Sequence, residues 1–173
     1  MKIIIIAADV HIGGGRVVLN DLLNAALTLA HIEFYALVDT RFERDSNKFK
    51  NVTFIDIAKS KRIFFVNRVI SNLVDQEDVI LNVSGLPFFR RFPCTKVQYI
   101  MNRYFIDNYS TSGLLLVVRL RLFVQKLAFS RYLKFADYIF VQNSVMSDLL
   151  LELGFNKDTI EVIPFKDVDK IIS

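Results

Sequence analysis

Lys2-Ile3-Ile4-Ile5-Ile6-Ala7-Ala8 runs through Asp9-Val10-His11-Ile12 into Gly13-Gly14-Gly15, and Val17, Val18, Leu22, Ala25, Ala26 and Leu29 then recur at helical spacing from Arg16 to Ala30. An unbroken apolar run reads as a central parallel strand, because a strand covered on both faces has no polar side to show. Strand, glycine turn and amphipathic helix in that order open a β-α-β unit.

The alternation continues outward from this start. Glu33 to Val38, Val52 to Ile57, Asp78 to Val83, Val97 to Met101, Tyr138 to Val141 and Glu161 to Ile163 read as further strands. Ile63, Val66, Ile70 and Leu73 mark a helix to about Val74, and Leu114 to Phe135 is a long basic helix. Val145 to Leu153 is a helix that Gly154 would cap. Arg41 to Lys50, with four bases and two acids, reads as a solvated loop. The pattern predicts an α/β fold: one Rossmann-like domain over residues 1–173, an open, mainly parallel sheet with helices on both faces.

Composition agrees. At 173 residues, 53% hydrophobic and with six Gly and three Pro, the chain can bury a substantial core and is not disordered. Its one cysteine, Cys94, excludes an internal disulfide framework and a multi-cysteine metal site. With His11 and His31 the only histidines, no metal site is expected. The apolar run Ile3 to Ala8 is six residues long and ends at Asp9, too short for a secretory h-region. Nothing approaches a spanning helix. The compartment is read as cytoplasmic.

The glycine turn sits at the carboxyl end of the first strand, where doubly wound sheets bind ligands. Glycine admits close approach of a ligand, the helix behind it directs free N–H groups at an anion, and Arg16 can add a charged contact to a phosphate. A plain tight corner is the simpler alternative. A dinucleotide fingerprint fits poorly, since Val18 stands where its third glycine belongs, although Asp39 ends the second strand about where a ribose-binding acid would sit.

Other strand ends reach the same edge. Asn102 and Arg103 follow the fifth strand and could meet hydroxyls and a phosphate or carboxylate; a capping Asn102 with Arg103 in solvent is the alternative. Ser84 and Gly85 follow the fourth strand, Asn143 and Ser144 the sixth, and Ser144 suits a helix N-cap. Asp9 and His11 are candidates by position only, and His31 is read as structural.

Ala136-Asp137-Tyr138-Ile139-Phe140-Val141-Gln142-Asn143-Ser144, a helical stretch to Phe155, and Ile160-Glu161-Val162-Ile163-Pro164 complete the picture. Together with the glycine turn, this block resembles the N-terminal, acceptor-side domain of a GT-B glycosyltransferase of family 4, over nearly the whole chain. The resemblance implies a retaining transferase that needs no metal or other cofactor. A nucleotide-sugar donor would be held mainly by a C-terminal partner domain or chain beyond these residues, and a lipid-linked or cell-surface bacterial saccharide would be the acceptor. It implies that Gly13, Gly14, Gly15 and Arg16 line the cleft near the donor diphosphate and the acceptor. Many members carry a histidine contacting the sugar where this chain has Asn102. After Pro164 the family usually continues Asn-Gly, whereas this chain reads Phe165-Lys166-Asp167-Val168-Asp169. On this reading the 173 residues are half an enzyme, inactive alone. The rival is a nucleotide-binding or regulatory Rossmann module without transferase activity.

Charge is unevenly spread. Arg119, Arg121, Lys126, Arg131 and Lys134 lie between Asn108 and Ala136 with no acid among them; removing these five from the net charge of +4 leaves the remainder at −1. Leu116, Leu120, Phe123, Val124 and Leu127 form one helical face, while Arg119, Lys126, Ser130 and Lys134 follow another, with Arg121 and Arg131 at its margins. Bases beside an apolar stripe describe a helix able to lie on an anionic membrane, here the inner face of the plasma membrane. The alternative is a helix packing its apolar stripe on the sheet. No nucleic-acid motif spacing is present.

Overall fold

The isoleucine run forms the strand expected of it, inside a sheet wholly parallel. The computed structural model describes residues 1–29, 31–45, 47–107, 112–164 and 171. Its strands are β1 (Lys2–Ala7), β2 (Glu33–Asp39), β3 (Val52–Ile57), β4 (Val79–Asn82), β5 (Thr95–Ile100), β6 (Tyr138–Val141) and β7 (Ile160–Val162). They pair in the order β3-β2-β1-β4-β5-β6-β7. Strand order reverses between β1 and β4, the switch point at whose carboxyl edge a crevice opens.

The period of two along β1 divides its side chains between two cores. Ile3, Ile5 and Ala7 pack with Val18, Leu19 and Leu22 of α1 (Gly13–Ala26). Ile4, Ile6 and Ala8 pack instead with Ile70 of α2 (Arg62–Leu73) and with Phe88 and Phe92. Beyond them, Ile100, Ile139 and Val141 meet Phe129 of α3 (Leu116–Tyr132) and Met146 and Leu150 of α4 (Ser144–Glu152). Helices therefore cover both faces.

Several local expectations need correction. Helix α1 begins at Gly13, not Arg16, so the three glycines are its first turn. Gly13, at φ +66°, makes the corner that lets the helix start there. The helix ends at Ala26, short of the expected Ala30, which itself lies outside the described residues. The charged loop after β2 is not simply solvated: Phe42 and Phe49 are buried against the α1 side of the core, and Arg44 grips Asp56 of β3 through two hydrogen bonds of 2.7 and 2.9 Å. Helix α4 is capped by Asn143, whose Oδ1 accepts from the Met146 N–H at 3.0 Å, and not by Ser144. At its other end Gly154 takes φ +86°, as the cap reading requires.

The Ala136–Pro164 block has a structural logic of its own. Asp137 Oδ2 accepts from both the backbone N–H and the Nζ of Lys96, fixing β6 beside β5. The buried Tyr99 hydroxyl donates to the Ile163 carbonyl at 2.8 Å, and burial pushes that phenol up to about 12. The chain leaving β7 is thereby tied to β5. The segment 165–169, where the sequence departs from the family pattern, lies outside the described residues.

Candidate functional site

Loops from β1, β2, β3 and β4 meet at the carboxyl edge, and their charges are arranged rather than scattered. Asp39, the last residue of β2, is fully buried. Its Oδ1 accepts from the backbone N–H and the Nε of Arg41, both at 2.9 Å, and its Oδ2 from Arg41 Nη2 at 2.8 Å. Arg62 Nη2, from the first residue of α2, also donates to Oδ2. The Arg41 guanidinium, against the opposing effect of burial and together with Arg62, holds the Asp39 carboxyl well below the usual carboxylate range. The ribose role suggested for this acid is not open to it: both oxygens are already filled, and Val18, at the third-glycine position, is wholly buried in the core.

The β1 loop supplies the second carboxylate. Gly85 N–H donates to both oxygens of Asp9, at 3.0 and 3.1 Å, and Gln125 Nε2 of α3 donates to the Gly85 carbonyl at 3.0 Å. A Cβ on Gly85 would stand 2.8 Å from Asp9 Oδ2, so any side chain there would have to displace the Asp9 carboxylate from the junction of β1, β4 and α3. His11 Nδ1 lies 3.3 Å from the Asp9 carbonyl and 3.9 Å from Asp39 Oδ2.

Above these residues opens a cavity of about 590 Å³, bounded by Asp9, His11, Arg41, Lys59, Arg62 and Leu86 on one side and by Val117, Leu120, Arg121, Val124 and Gln125 of α3 on the other. Four cations face it. Nothing local in the sequence marks Arg41, Lys59 or Arg62 as site residues except the cluster Lys59-Ser60-Lys61-Arg62, directly after a strand that ends at the same edge. Arg121, expected at a membrane, lines the cavity instead.

The residues expected from sequence fall into two groups. Gly13, Gly14 and Gly15 open α1 behind Ile12, whose side chain makes no cap, so the first-turn N–H groups are not side-chain capped. Gly14 is exposed; a Cβ on Gly15 would come within 3.1 Å of Val10 Cγ1. Gly15→Val is therefore expected to cost about 1–3 kcal/mol by overpacking, while Gly14→Val changes stability by less than about 1 kcal/mol. Urea denaturation of both variants checks this, and equal losses would refute it. Arg16 reaches Glu43 loosely, at 3.9 Å.

The other group serves the local fold. Asn102 Oδ1 accepts from the Tyr104 N–H at 3.0 Å and caps the short turn after β5. Arg103 Nε donates to Asp107 at 2.6 Å, one turn away. Ser84 is buried, its hydroxyl donating to Asn82 Oδ1 at 2.7 Å in a network that includes Gln98. Ser144 and His31 are exposed. On α3 the apolar stripe does not pack on the sheet: Leu116, Leu120, Phe123 and Leu127 are 59–77% exposed, while Gln125 and Phe129 occupy the buried face. Arg119, Arg121, Arg131 and Lys134 are exposed, but Lys126, expected in solvent, donates to the Asp107 carbonyl at 2.7 Å. Among the described residues no helix is long and apolar enough to cross a membrane, and no cluster of His, Cys, Asp and Glu could hold a metal ion.

These features define an α/β domain of the doubly wound, Rossmann-like class, with a cationic cavity at the carboxyl edge of its sheet. Among solved structures it is similar to Anabaena HepE (Alr3699), crystallised in complex with UDP, with a TM-score of 0.53 at 13% identity over 95% of this chain. The chain spans 44% of the length of that neighbour. At such identity the likeness is one of fold. No family model and no curated protein matches the sequence.

Proposed function

We propose that this chain is the acceptor-side domain of a retaining glycosyltransferase, moving a sugar from a nucleotide-sugar donor to a lipid-linked or cell-surface saccharide, with no metal or cofactor of its own. One observation carries the reading: nearly the whole chain matches part of a protein whose crystal structure holds UDP, the group that a UDP-sugar leaves behind. The uncapped first turn of α1, at Gly13 to Gly15, offers N–H groups and a positive dipole end to the donor diphosphate. Asn102 keeps its Nδ2 for a hydroxyl of the transferred sugar while its Oδ1 holds the turn. On this reading Arg16, in the first turn of α1, and Arg103, after β5, assist with phosphate. A second domain supplies most of the donor contacts, and the exposed stripe of α3 rests on the membrane that carries the acceptor.

The 173 residues alone are expected to turn over no sugar nucleotide, and to do so once joined to a donor-binding domain. In that assembly Asn102→Asp, which keeps the capping oxygen and removes the Nδ2 donor, should lower kcat with a melting temperature within a degree or two of the parent. Turnover by the domain alone would overturn the division of labour. Titration gives the sharper test of class: saturable binding of NAD(H), with UDP-sugars ignored, would reject the transferase reading.

A further inference from the structure

The cavity above Asp39 has a chemistry that the donor site does not account for. Its four cations are Arg41, Lys59, Arg62 and Arg121; set against the carboxylates of Asp9 and Asp39, they leave a surplus of two positive charges. Two of the four are fixed in place. The buried Asp39 carboxylate takes Arg41 in a bidentate grip and Arg62 through one nitrogen, so each guanidinium keeps its Nη1 donors unspent among the described residues. Arg62 Nε is closed off from solvent and also finds no acceptor. Lys59 and Arg121 line the opening and make no hydrogen bond or ion pair among the described residues. Arginines held by a buried acid form a prepaid anion site, because planar forks already oriented lose little entropy on meeting a phosphate.

The opposite wall, apart from Arg121 and Gln125, is apolar. Leu120 and Val124 of α3 line the cavity and remain 63% and 55% exposed, continuous with the stripe that runs on to Leu127. Three cations on one wall, and Arg121 beside an open hydrophobic track on the other, call for one kind of guest: a phosphate or diphosphate esterified to an apolar chain. A nucleotide would leave the track bare, and a plain sugar would leave the cations unanswered. We propose that this cavity binds the phosphate head of a lipid phosphate, with the first part of its chain lying along Leu120 and Val124. That such a lipid phosphate is the acceptor rests on the transferase reading; that it binds here does not.

Calorimetry of the 173-residue protein with farnesyl diphosphate, inorganic pyrophosphate and farnesol tests the assignment. Farnesyl diphosphate should bind at least about tenfold more tightly than pyrophosphate, because only it buries chain against α3, and farnesol should show no saturable binding at the same concentrations. Lys59→Gln with Arg121→Gln, two residues without structural partners, should weaken both phosphate ligands, by about tenfold for each charge removed. Leu120→Asn should weaken farnesyl diphosphate and leave pyrophosphate unchanged. Equal affinity for pyrophosphate and farnesyl diphosphate overturns the proposal, as does farnesyl diphosphate binding that ignores the double substitution. Titration with UDP-sugar and NAD(H) reads the transferase hypothesis separately, so the failure of one does not mimic failure of the other.

Discussion

Asp39→Asn is expected to destabilise the protein by on the order of 3 kcal/mol at neutral pH, the size associated with removing one partner of a buried ion pair. The carboxylate is fully buried and accepts from the Arg41 backbone N–H, from two nitrogens of the Arg41 side chain and from Arg62. Asparagine keeps the shape but offers one acceptor oxygen and two donors to groups that only donate. It also leaves two guanidinium ions converging without a counter-charge. Arg41, about half exposed, can turn to water, but Arg62 is largely enclosed, so relief is partial. The pH dependence has a definite sign. The Asp39 carboxyl titrates below its ordinary value of about 4, so its contribution is complete above that value and is lost as acid carries the pH down through the folded-state value. Asp56 and Asp78 are held low as well, the first by Arg44 and the second by backbone N–H groups and Lys2 against the effect of burial. Both proteins will therefore weaken in acid, and the gap between them should narrow as the pH falls below about 4. Denaturant midpoints at pH 7 and pH 3 decide the matter, and identical midpoints at pH 7 would sink it.

The same residue shows where sequence reading stops. Strands β3 and β6 could be placed to the residue because bulky β-formers end abruptly against polar neighbours at Ile57 and Val141. The interior β1 was legible because four isoleucines in a row have no amphipathic alternative. Glycine's low helix propensity makes Gly13 to Gly15 read as a loop, yet α1 begins there, because the first turn of a helix has few bonds to lose. The charge of the loop from Arg41 to Lys50 masks Phe42 and Phe49, which go into the core.

The site was half legible for a related reason. Asn102 and Gly154 act on neighbours within a few residues, and local chemistry announces them, whereas the cap of α4 falls on Asn143, one residue before the Ser144 that the sequence suggests. Asp39 meets Arg62 across 23 positions, and Arg121 comes to the cavity from a helix beyond β5; only the fold brings them together. An acid at a strand end reads as a ribose ligand because neither its burial nor the distant Arg62 that joins the neighbouring Arg41 in filling its oxygens is visible in the sequence.

Helix α3 leads to the largest expected effect. The protein should sediment with phosphatidylglycerol vesicles and not with phosphatidylcholine ones. Leu116, Leu120, Phe123 and Leu127 face outward, while Arg119, Arg121, Arg131 and Lys134 are exposed on the same element and its continuation. No acid lies between residues 112 and 136 to offset them. Four cations near an anionic surface are worth about 1 kcal/mol each, so the preference for anionic lipid should approach a thousandfold, as about 4 kcal/mol implies. It should collapse with salt, since the Debye length falls from about 10 Å at 0.1 M to about 3 Å at 1 M. Reversing Arg119 and Arg131 to Glu changes the helix charge by four and should remove nearly all binding. Lys126 is a poor choice for reversal because its ammonium holds the Asp107 carbonyl, and Arg121 because it lines the cavity. Circular dichroism of the reversed protein should match the parent. If binding survives 1 M salt, insertion of the apolar stripe is the stronger force, and Phe123→Ser must then abolish it. Equal sedimentation with both vesicle types at 0.1 M salt, or with neither, would leave the exposed stripe of α3 without a membrane role.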